Sequence, residues 1–450
     1  MSTLIHIVRE RFARRSAMNP DHRAGMFGVG WSTLAQLVGM VLRLGSSLVL
    51  SRLLSQEVYG LFGPALAVLM VVELISDLGV RPALVRHPDG STPSWLGTGW
   101  VVTFIRGICL SLLILGTSQI LPGQLDNLDL EPLLLVLAIR PILQSLYNSS
   151  LPVLYRVMDF RAIAIVEIAQ TVTGVVTGIT IAWAFDERTV WAMVGGVFAS
   201  DIAGLIAGYV LAPRPVRPHW DREALREFSS FGRAIYVNTM VMALWMYFDR
   251  ILGLRYVSER DLGPYIFAWN LVEVLDRIIN RGCDVYYSLL ARSTAMRGEL
   301  ALHRGIGSIV SKTAMPAFAL AIVAAPWVML VYPSNFAPAR WFLCILIARM
   351  MFRAIGQIQF QYLLVRGEVY LGTRCYVLAF LFQAAVFFAV VPKYGVEGIA
   401  WTVTASTLFW AFVQNVIFYW RGELGFSPLL RTVGWAVGGL TVAWMMLFGR

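Results

Sequence analysis

Apolar runs about as long as a membrane is thick recur along the whole chain. A helix needs about 20 apolar residues to cross the hydrocarbon core of a bilayer. Hydrophobic residues make up 58% of the 450 and charged residues 14%, whereas soluble domains average about 45–50% and 25%. The sequence therefore predicts an all-α polytopic membrane protein with about 12–14 transmembrane helices. Thirteen spans are expected near residues 26–50, 58–79, 95–119, 131–151, 162–184, 189–212, 230–253, 263–290, 306–331, 338–365, 370–391, 396–420 and 429–448.

The basic residues predict which way these spans run. Residues 1–25 are polar and arginine-rich, and the first span is too long for a cleavable signal peptide. If the N-terminus is cytoplasmic, the inner segments and their flanks hold roughly three times as many Arg and Lys residues as the outer ones, as expected for retained loops. The net charge of +10 therefore reflects topology, and no nucleic-acid partner is expected.

The motifs that carry most enzyme chemistry are missing from the sequence. It has no HExxH, GxSxG or Walker A string, and no extramembrane segment is long enough to hold a catalytic domain. The four cysteines are scattered through apolar stretches without CxxC spacing, which indicates small buried side chains and not metal ligands or disulfides. We expect no enzyme activity, no metal and no cofactor. The cysteines are Cys109, Cys283, Cys344 and Cys375.

A weak internal repeat divides the chain into two halves. The segment SRLLSQEVYGLFGPA (51–65) resembles LRYVSERDLGPYIFA (254–268) at an offset of 203 residues. Six spans separate the copies, so both have the same orientation, which predicts two six-helix lobes facing each other across a central cavity. The expected division is a basic tail (1–25), an N-terminal lobe (26–212), a cytoplasmic linker (213–229), a C-terminal lobe (230–420) and one additional helix (429–448).

Ionisable residues inside the expected spans indicate where the functional site lies, because charges at membrane depth are costly unless they are paired or solvated. In the eighth span six polar residues recur at helical spacing on one face, so they must face a cavity or the bundle interior. The alternative is that Glu273 or Asp276 only neutralises Arg277 or Arg281. The six are Glu273, Asp276, Arg277, Asn280, Arg281 and Asp284.

The tenth span carries Arg349 and Arg353 four residues apart and contains no acid. An arginine pair with no local acid predicts an anionic ligand, since guanidinium groups bind phosphate and carboxylate in bidentate fashion. Further buried bases are Arg43, Arg106 and Arg140. A sugar-stacking role for the aromatic residues of spans 7 and 8 is the less favoured alternative to plain packing. Those residues are Tyr247, Tyr265 and Trp269.

Carboxylates at similar depth are candidates for coupling transport to protons or sodium. Glu73 and Asp77 lie on one face of the second span, and Glu273 and Asp276 lie on the eighth. Asp249 and Arg250, near the end of the seventh span, are expected to form a structural pair.

Two stretches resemble a known family. The opening GWSTLAQLVGMVLRLGSSLVLSRLLSQEVYGLFGPALAVLMVVELISDLGVRPALVRH (30–87) resembles the polysaccharide transporter (Wzx-type oligosaccharide flippase) family of the multidrug/oligosaccharidyl-lipid/polysaccharide exporter superfamily. The second stretch, YFDRILGLRYVSERDLGPYIFA (247–268), resembles the family's D-R-x-x-x-G and L-G-x-Y-x-x-A pattern. The expected thirteen spans depart from the twelve or fourteen that are common in the family.

The resemblance implies a V-shaped pair of lobes in the bacterial inner membrane that moves polyprenyl-pyrophosphate-linked glycans outward for exopolysaccharide or lipopolysaccharide assembly. It implies a monomer, with a glycan polymerase or other assembly machinery as a candidate partner. A cation-coupled drug exporter of the same superfamily, or a membrane glycan polymerase or ligase, remains the alternative. Carried over by depth and helix, the cationic cavity would be formed by Arg106, Arg140, Arg277, Arg281, Arg349 and Arg353.

Overall fold

Fifteen α-helices make up most of the chain that the computed structural model describes, which comprises residues 20–76, 80–149, 151–156, 159–185, 189–211, 216–294 and 298–449. No β-strand occurs in these ranges. The predicted all-α membrane architecture is confirmed. The N-terminal lobe contains α1 (Pro20–Leu53), α2 (Gln56–Ile75), α3 (Val80–Arg86), α4 (Pro93–Gln124), α5 (Leu130–Leu137), α6 (Arg140–Ser145), α7 (Leu151–Arg156), α8 (Phe160–Ala184) and α9 (Trp191–Leu211).

The C-terminal lobe is built around one enclosed helix, α13, whose apolar stretch is 89% buried. It packs against α11, α12, α14 and α15, so its side chains meet protein on every side. The lobe contains α10 (Arg222–Tyr256), α11 (Glu259–Thr294), α12 (Glu299–Val328), α13 (Ala339–Val365), α14 (Val369–Trp420) and α15 (Ser427–Phe448).

Among the described residues, nine helices are long and apolar enough to cross a membrane, and the expected thirteen spans are matched only approximately. Helices α10 and α11 are not among these nine, because their charged residues lower the mean hydropathy of each helix. Helix α14 has 52 residues and contains two expected spans, which meet at Gly395. The backbone of Gly395 is not helical (φ 57°, ψ −134°), a conformation that glycine adopts at low cost.

The fourth expected span, 131–151, is the clearest departure from the prediction. The structure divides this stretch among α5, α6 and α7. Pro141 has no N–H to donate, and its ring crowds the preceding turn. In that turn the helix is tighter, and the N–H of Ile139 donates to the carbonyl oxygen of Val136 at 3.1 Å. A second break separates Ser145 from Leu151. Hydropathy does not detect these breaks, because the residues remain apolar throughout.

Small residues allow α8 and α9 to pack closely within the N-terminal lobe. A Cβ placed on Gly174 would lie 2.9 Å from the carbonyl oxygen of Gly196, and a Cβ on Gly196 would lie 2.9 Å from that of Gly174. Backbones of membrane helices approach each other in this way where side chains are absent. This contact fixes α8, which supplies one wall of the site described below.

The hairpins of the sequence repeat pack on each other in a reciprocal manner. A Cβ on Gly60 would collide with the backbone of Glu259, and a Cβ on Gly263 would collide with the backbone of Gln56. Under the offset of 203, residues 56 and 60 correspond to 259 and 263. The two contacts are therefore equivalent and are related by a local two-fold axis, as in an isologous interface.

Two further contacts join residues to their own repeat counterparts, which places them near that axis. A Cβ on Gly63 would lie 2.6 Å from Cγ2 of Ile266, and Glu57 Oε1 lies 3.9 Å from Arg260 Nε. Beside them, Asn127 donates to Glu259 Oε1 at 2.6 Å. The lobes are therefore closed against each other at the end of the molecule that carries the hairpins, which we call the hairpin end.

The connection between the lobes is docked at the opposite end. The expected linker, 213–229, is partly helical, because α10 begins at Arg222; residues 212–215 lie outside the described ranges. Ser94 Oγ donates to Asp221 Oδ2 at 2.7 Å, and Asp221 N–H donates to Thr98 Oγ1 at 2.9 Å. The Ser94 hydroxyl, with the N–H of Ala224, lowers the pKa of the Asp221 carboxyl. Asp221 thus caps α10 and holds it to α4.

Candidate functional site

A cavity between the lobes extends from the hairpin end toward the opposite end. Its part nearer the hairpins has a volume of about 400 Å³, and the adjoining part has about 540 Å³. Helices α1, α8 and α9 line it on one side and α11 lines it on the other. We call this space the central cavity. The residues that line both parts are Arg43, Gln170, Thr171, Ser200 and Arg277.

Two arginines from opposite lobes lie in this cavity. Arg43 comes from α1 and donates to Thr171 Oγ1 at 3.3 Å, and Arg277 comes from α11, where its side chain is exposed to the cavity. Within the described part of the chain, neither has a carboxylate oxygen within 4.0 Å. Guanidinium groups in this arrangement are available to an anionic ligand.

All six polar residues of the α11 stripe face cavities, as their spacing predicts. Arg277, Asn280, Arg281 and Asp284 line the part of the central cavity away from the hairpins. Glu273 and Asp276 line a smaller recess of about 200 Å³ that continues into the C-terminal lobe. Arg281 lies 3.6 Å from Asp284, and both side chains are more than half exposed, so this pair is weak.

Arg353 has a carboxylate partner, contrary to the interpretation of the α13 arginines as lacking one. Its Nε donates to Asp276 Oδ1 at 2.5 Å, and Asn280 donates to Asp276 Oδ2 at 3.2 Å. The acid comes from α11, so inspection of the tenth span alone could not find it. The alternative that Asp276 neutralises Arg277 or Arg281 is also wrong, because Asp276 pairs with Arg353.

Arg349 and Arg250 enclose Trp269 between them. The guanidinium carbons lie 4.4 Å and 4.0 Å from the centre of the indole ring, and Trp269 is 4% exposed. Neither Trp269 nor the fully buried Tyr265 can therefore stack on a sugar. The expected Asp249–Arg250 pair is not formed within 4.0 Å in the described residues; instead Tyr265 donates to Asp249 at 2.5 Å.

In the N-terminal lobe, Arg140 is compensated by two acids. Its Nε donates to Asp201 Oδ2 at 2.7 Å, and its Nη1 lies 3.5 Å from Glu73 Oε1. Arg106 donates to Ser76 Oγ at 2.9 Å and to the carbonyl oxygen of Glu73 at 2.7 Å. These two arginines hold α4 and α6 to the end of α2. A role for them in binding substrate stays a prediction.

The four coupling candidates are found in different surroundings. Glu73 lies beside Arg140, and Asp276 is bound to Arg353. Glu273 is exposed and lines both the central cavity and the recess. Asp77 lies outside the described residues. In the described ranges no group of three His, Cys, Asp or Glu residues is placed to hold a metal ion.

Arg43 is absent from the cationic set that the resemblance implies, although it and Arg277 are the arginines that line both parts of the cavity. Arg43 was recognised as a charge within the first span. Its position opposite Arg277 depends on how α1 packs against α8 and how α11 approaches both, and no local pattern reports that. The sequence alone therefore does not show that Arg43 and Arg277 line the same cavity.

Sequence comparison relates the chain to proteins of surface polysaccharide synthesis. The profile of a family described as "Polysaccharide biosynthesis protein" matches residues 49–340. The lipopolysaccharide biosynthesis protein WzxC of Escherichia coli (strain K12) is 22% identical over 265 residues, 56% of this chain and 52% of that protein. The teichuronic acid biosynthesis protein TuaB of Bacillus subtilis (strain 168) is 21% identical over 255 residues, 55% and 51%. The chain thus spans about half the length of these relatives.

Solved structures share the fold over nearly the whole chain. The lipid II flippase MurJ in an inward closed conformation has a TM-score of 0.71 at 11% identity, covering 93% of both chains. A multidrug resistance MATE family transporter of the MOP superfamily has a TM-score of 0.64 in its inward-facing conformation, at 15% identity, covering 87% of this chain and 99% of that one. At these identities the likeness establishes the fold.

Proposed function

The chain belongs to the polysaccharide biosynthesis protein family, and we propose that it is a flippase for lipid-linked oligosaccharides. Its substrate is a polyprenyl-pyrophosphate-linked glycan unit that is moved across the bacterial inner membrane for exopolysaccharide or lipopolysaccharide assembly. The single observation that carries this proposal is the meeting of Arg43 and Arg277, from opposite lobes, in one cavity. A pyrophosphate is the anion that two guanidinium groups bind well.

The direction of transport follows from the predicted topology. With a cytoplasmic N-terminus, the hairpin end faces the periplasm, and the lobes are closed there by the contacts of Gly60 and Gly263. The cavity then widens toward the cytoplasm, where the lipid-linked glycan is made. Alternating access requires that this closure opens while the opposite end closes. In this scheme, closure at the hairpin end belongs to the state that receives substrate from the cytoplasmic leaflet.

Each part of the substrate has a place in this scheme. The pyrophosphate lies between Arg43 and Arg277, while sugars occupy the part of the cavity lined by Gln170, Ser200 and Asn280. Because the two arginines belong to different lobes, a bound anion would attract both lobes at once. Binding therefore favours the rearrangement that carries the cavity from one side to the other.

Four acids line the cavity, namely Glu167, Asp201, Glu273 and Asp284. Asp201 is paired with Arg140 and Asp284 with Arg281, whereas neither Glu167 nor Glu273 has a basic nitrogen within 4.0 Å in the described residues. Glu273 is the coupling candidate that the geometry favours, since it faces both the cavity and the Asp276–Arg353 recess. Loss of a bound proton or sodium ion from Glu273 would restore a negative charge beside Arg277 and weaken its attraction for the pyrophosphate, which favours release of the substrate. No bond is made or broken by the protein in this scheme.

Deletion of the gene in its host, followed by analysis of lipid-linked glycans, tests the proposal. The expected result is accumulation of one polyprenyl-pyrophosphate intermediate on the cytoplasmic leaflet, with loss of the matching surface polymer. Complementation by the wild-type chain should restore the polymer, and that by Arg277→Ala should not. Normal export together with increased sensitivity to cationic drugs would instead favour the drug-exporter alternative. Accumulation of flipped but unpolymerised units outside would indicate a polymerase.

A further inference from the structure

A second cavity lies within the N-terminal lobe, beside the central one. It has a volume of about 410 Å³, within the range of ligand sites. Helices α3, α4, α7 and α8 and the segment between α6 and α7 contribute its walls, and we call it the N-lobe groove. One wall consists of apolar side chains that belong to none of the charged clusters above. These side chains are Val80, Leu84, Leu151, Leu154, Ile163 and Val166.

The mouth of the groove is formed where the fourth span is broken. Between α6 and α7 the backbone is not a regular helix, and Tyr147, Asn148 and Ser149 line the groove there. Irregular backbone at membrane depth is tolerated only where protein buries it or where it lines a cavity. Interrupted membrane helices are also a recurring way to build binding sites. We therefore interpret the break in the helix as part of a ligand site.

The broken segment is held in place by specific hydrogen bonds. Ser149 Oγ donates to the carbonyl oxygen of Leu96 at 2.6 Å, and Tyr147 OH donates to the carbonyl oxygen of Asp201 at 2.9 Å. These bonds tie the segment to α4 and α9. The groove is therefore a formed feature of the lobe and does not depend on a ligand to shape it.

The groove adjoins the central cavity. Glu167 and Gln170 line both spaces, and Gln170 Nε2 donates to Tyr147 OH at 3.1 Å at the boundary. An occupant that lies across this boundary has a polar part in the cavity, near Arg43, and an apolar part against the groove wall. That description fits an amphiphile with an anionic head and a hydrocarbon chain.

We propose that the N-lobe groove binds the first isoprene units of the lipid carrier while its pyrophosphate lies in the central cavity. This inference rests on the proposed function. Arg106, which lines the groove and is fixed by Ser76 and the end of α2, adds a positive charge to the groove. The groove thereby selects the lipid carrier by the segment next to the phosphate, whatever glycan is attached.

The occupant is an isoprenoid and not a phospholipid acyl chain, because of the position of the charges. A phospholipid lies with its headgroup at the membrane surface. Here the polar boundary at Glu167 and Gln170 lies between the groove and a cavity inside the protein, so the head must enter that cavity.

Photolabelling of the purified full-length chain in phospholipid nanodiscs tests the proposal. The probe is farnesyl pyrophosphate with a diazirine on its second isoprene unit. The expected result is labelling within α3, α7 and the first half of α8, abolished by unlabelled farnesyl pyrophosphate and unaffected by added phosphatidylglycerol. Labelling confined to lipid-facing residues, or competition by phosphatidylglycerol equal to that by the isoprenoid, would overturn it.

A matched pair of variants on α8 provides a second arm. Val166→Trp fills the groove, whereas Ile165→Trp places the same ring on a position that is 41% exposed. We expect Val166→Trp to weaken farnesyl pyrophosphate binding at least about tenfold, with inorganic pyrophosphate binding unchanged. Ile165→Trp should bind like the wild type. Equal effects of Val166→Trp and Ile165→Trp on a folded protein would contradict the groove.

The two proposals fail in different ways in these experiments. Labelling and binding are measured without transport, so a chain that binds the probe in the groove but flips no glycan would refute the flippase and leave the groove standing. A chain that flips the lipid-linked glycan but labels elsewhere would refute the groove alone.

Discussion

Arg353 on α13 donates to Asp276 on α11 at 2.5 Å and thereby joins the enclosed helix of the C-terminal lobe to the helix that lines the central cavity. The pair is largely buried, with side chains 8% and 21% exposed. Asp276 precedes Arg277 directly in the chain. With Asp276 held toward α13, Arg277 is left facing the cavity, so the ion pair positions the arginine that we assign to the substrate.

Breaking this pair should destabilise the protein rather than only impair transport. Removal of one partner leaves the other charge buried without compensation, which costs about 3–5 kcal/mol. We expect Arg353→Ala to unfold at a markedly lower temperature in detergent than the wild type. The double variant Arg353→Leu/Asp276→Leu should recover most of the loss, since neither charge remains. A single variant as stable as the wild type would contradict the account of this pair.

The hairpin contact predicts that substitution by valine has a strong effect at Gly60 and little effect at Gly45. Gly60→Val would force a side chain into the backbone of Glu259, whereas Gly45→Val places the same side chain on α1 in open space. We expect Gly60→Val to shift the protein toward states that are open at the hairpin end. Accessibility of a cysteine introduced at position 266 to a membrane-impermeant maleimide measures this shift. Equal labelling in both backgrounds would argue against closure at the hairpins.

A disulfide between repeat counterparts should lock that closure. The Cβ of a residue at position 63 would lie 2.6 Å from Cγ2 of Ile266, so the Cβ atoms of Gly63→Cys and Ile266→Cys come within disulfide reach. The native cysteines are first replaced by alanine. We expect oxidation to stop transport and a reductant to restore it, with either single cysteine unaffected. Full transport by the cross-linked chain would rule out alternating access through this end.

The closure should also depend on pH through Glu259. Burial raises the pKa of this carboxyl, and the nearby charges of Asp129 and Glu57 act in the same direction, while the hydrogen bond from Asn127 opposes them. Opening exposes the carboxyl and returns its pKa toward the ordinary value. The closed state thus binds the proton more tightly, so closure strengthens as pH falls through the raised pKa and weakens above it.

The rate of disulfide formation between Gly63→Cys and Ile266→Cys, measured across pH, tests this dependence. A reference pair of cysteines is used to correct the rate for thiolate formation. The corrected rate should increase toward acid pH. In Glu259→Gln the carboxyl is absent, and the corrected rate should become independent of pH. An unchanged pH profile in this variant would assign the dependence to another group.

Much of the fold was predictable because the membrane imposes it. Span length and loop charge reflect hydrocarbon thickness and topology, and the repeat at 51–65 and 254–268 gave the two lobes. The breaks in the fourth span were missed because hydropathy averages over residues that stay apolar across Pro141 and the non-helical residues 146–149. The non-helical backbone at Gly395 was predicted only as a boundary between two spans.

The site was predictable in part, for a different reason. Helical spacing correctly placed the α11 stripe on a cavity, since that depends on one helix alone. Which arginines are neutralised depends on neighbouring helices. Arg353 finds Asp276 and Arg140 finds Asp201 only after packing, and the importance of Arg43 appears only when α1 and α11 enclose the same space. Pairings between helices leave no periodic trace in the sequence.

Binding of a prenyl pyrophosphate to the purified chain tests the central claim most directly. Affinity is compared among the wild type, Arg43→Gln, Arg277→Gln and the control Arg374→Gln, which removes an exposed arginine on α14. We expect each cavity variant to lose at least about tenfold in affinity, roughly the value of one charge-assisted contact, while the control binds normally. Affinities of Arg43→Gln and Arg277→Gln equal to that of the wild type would contradict it.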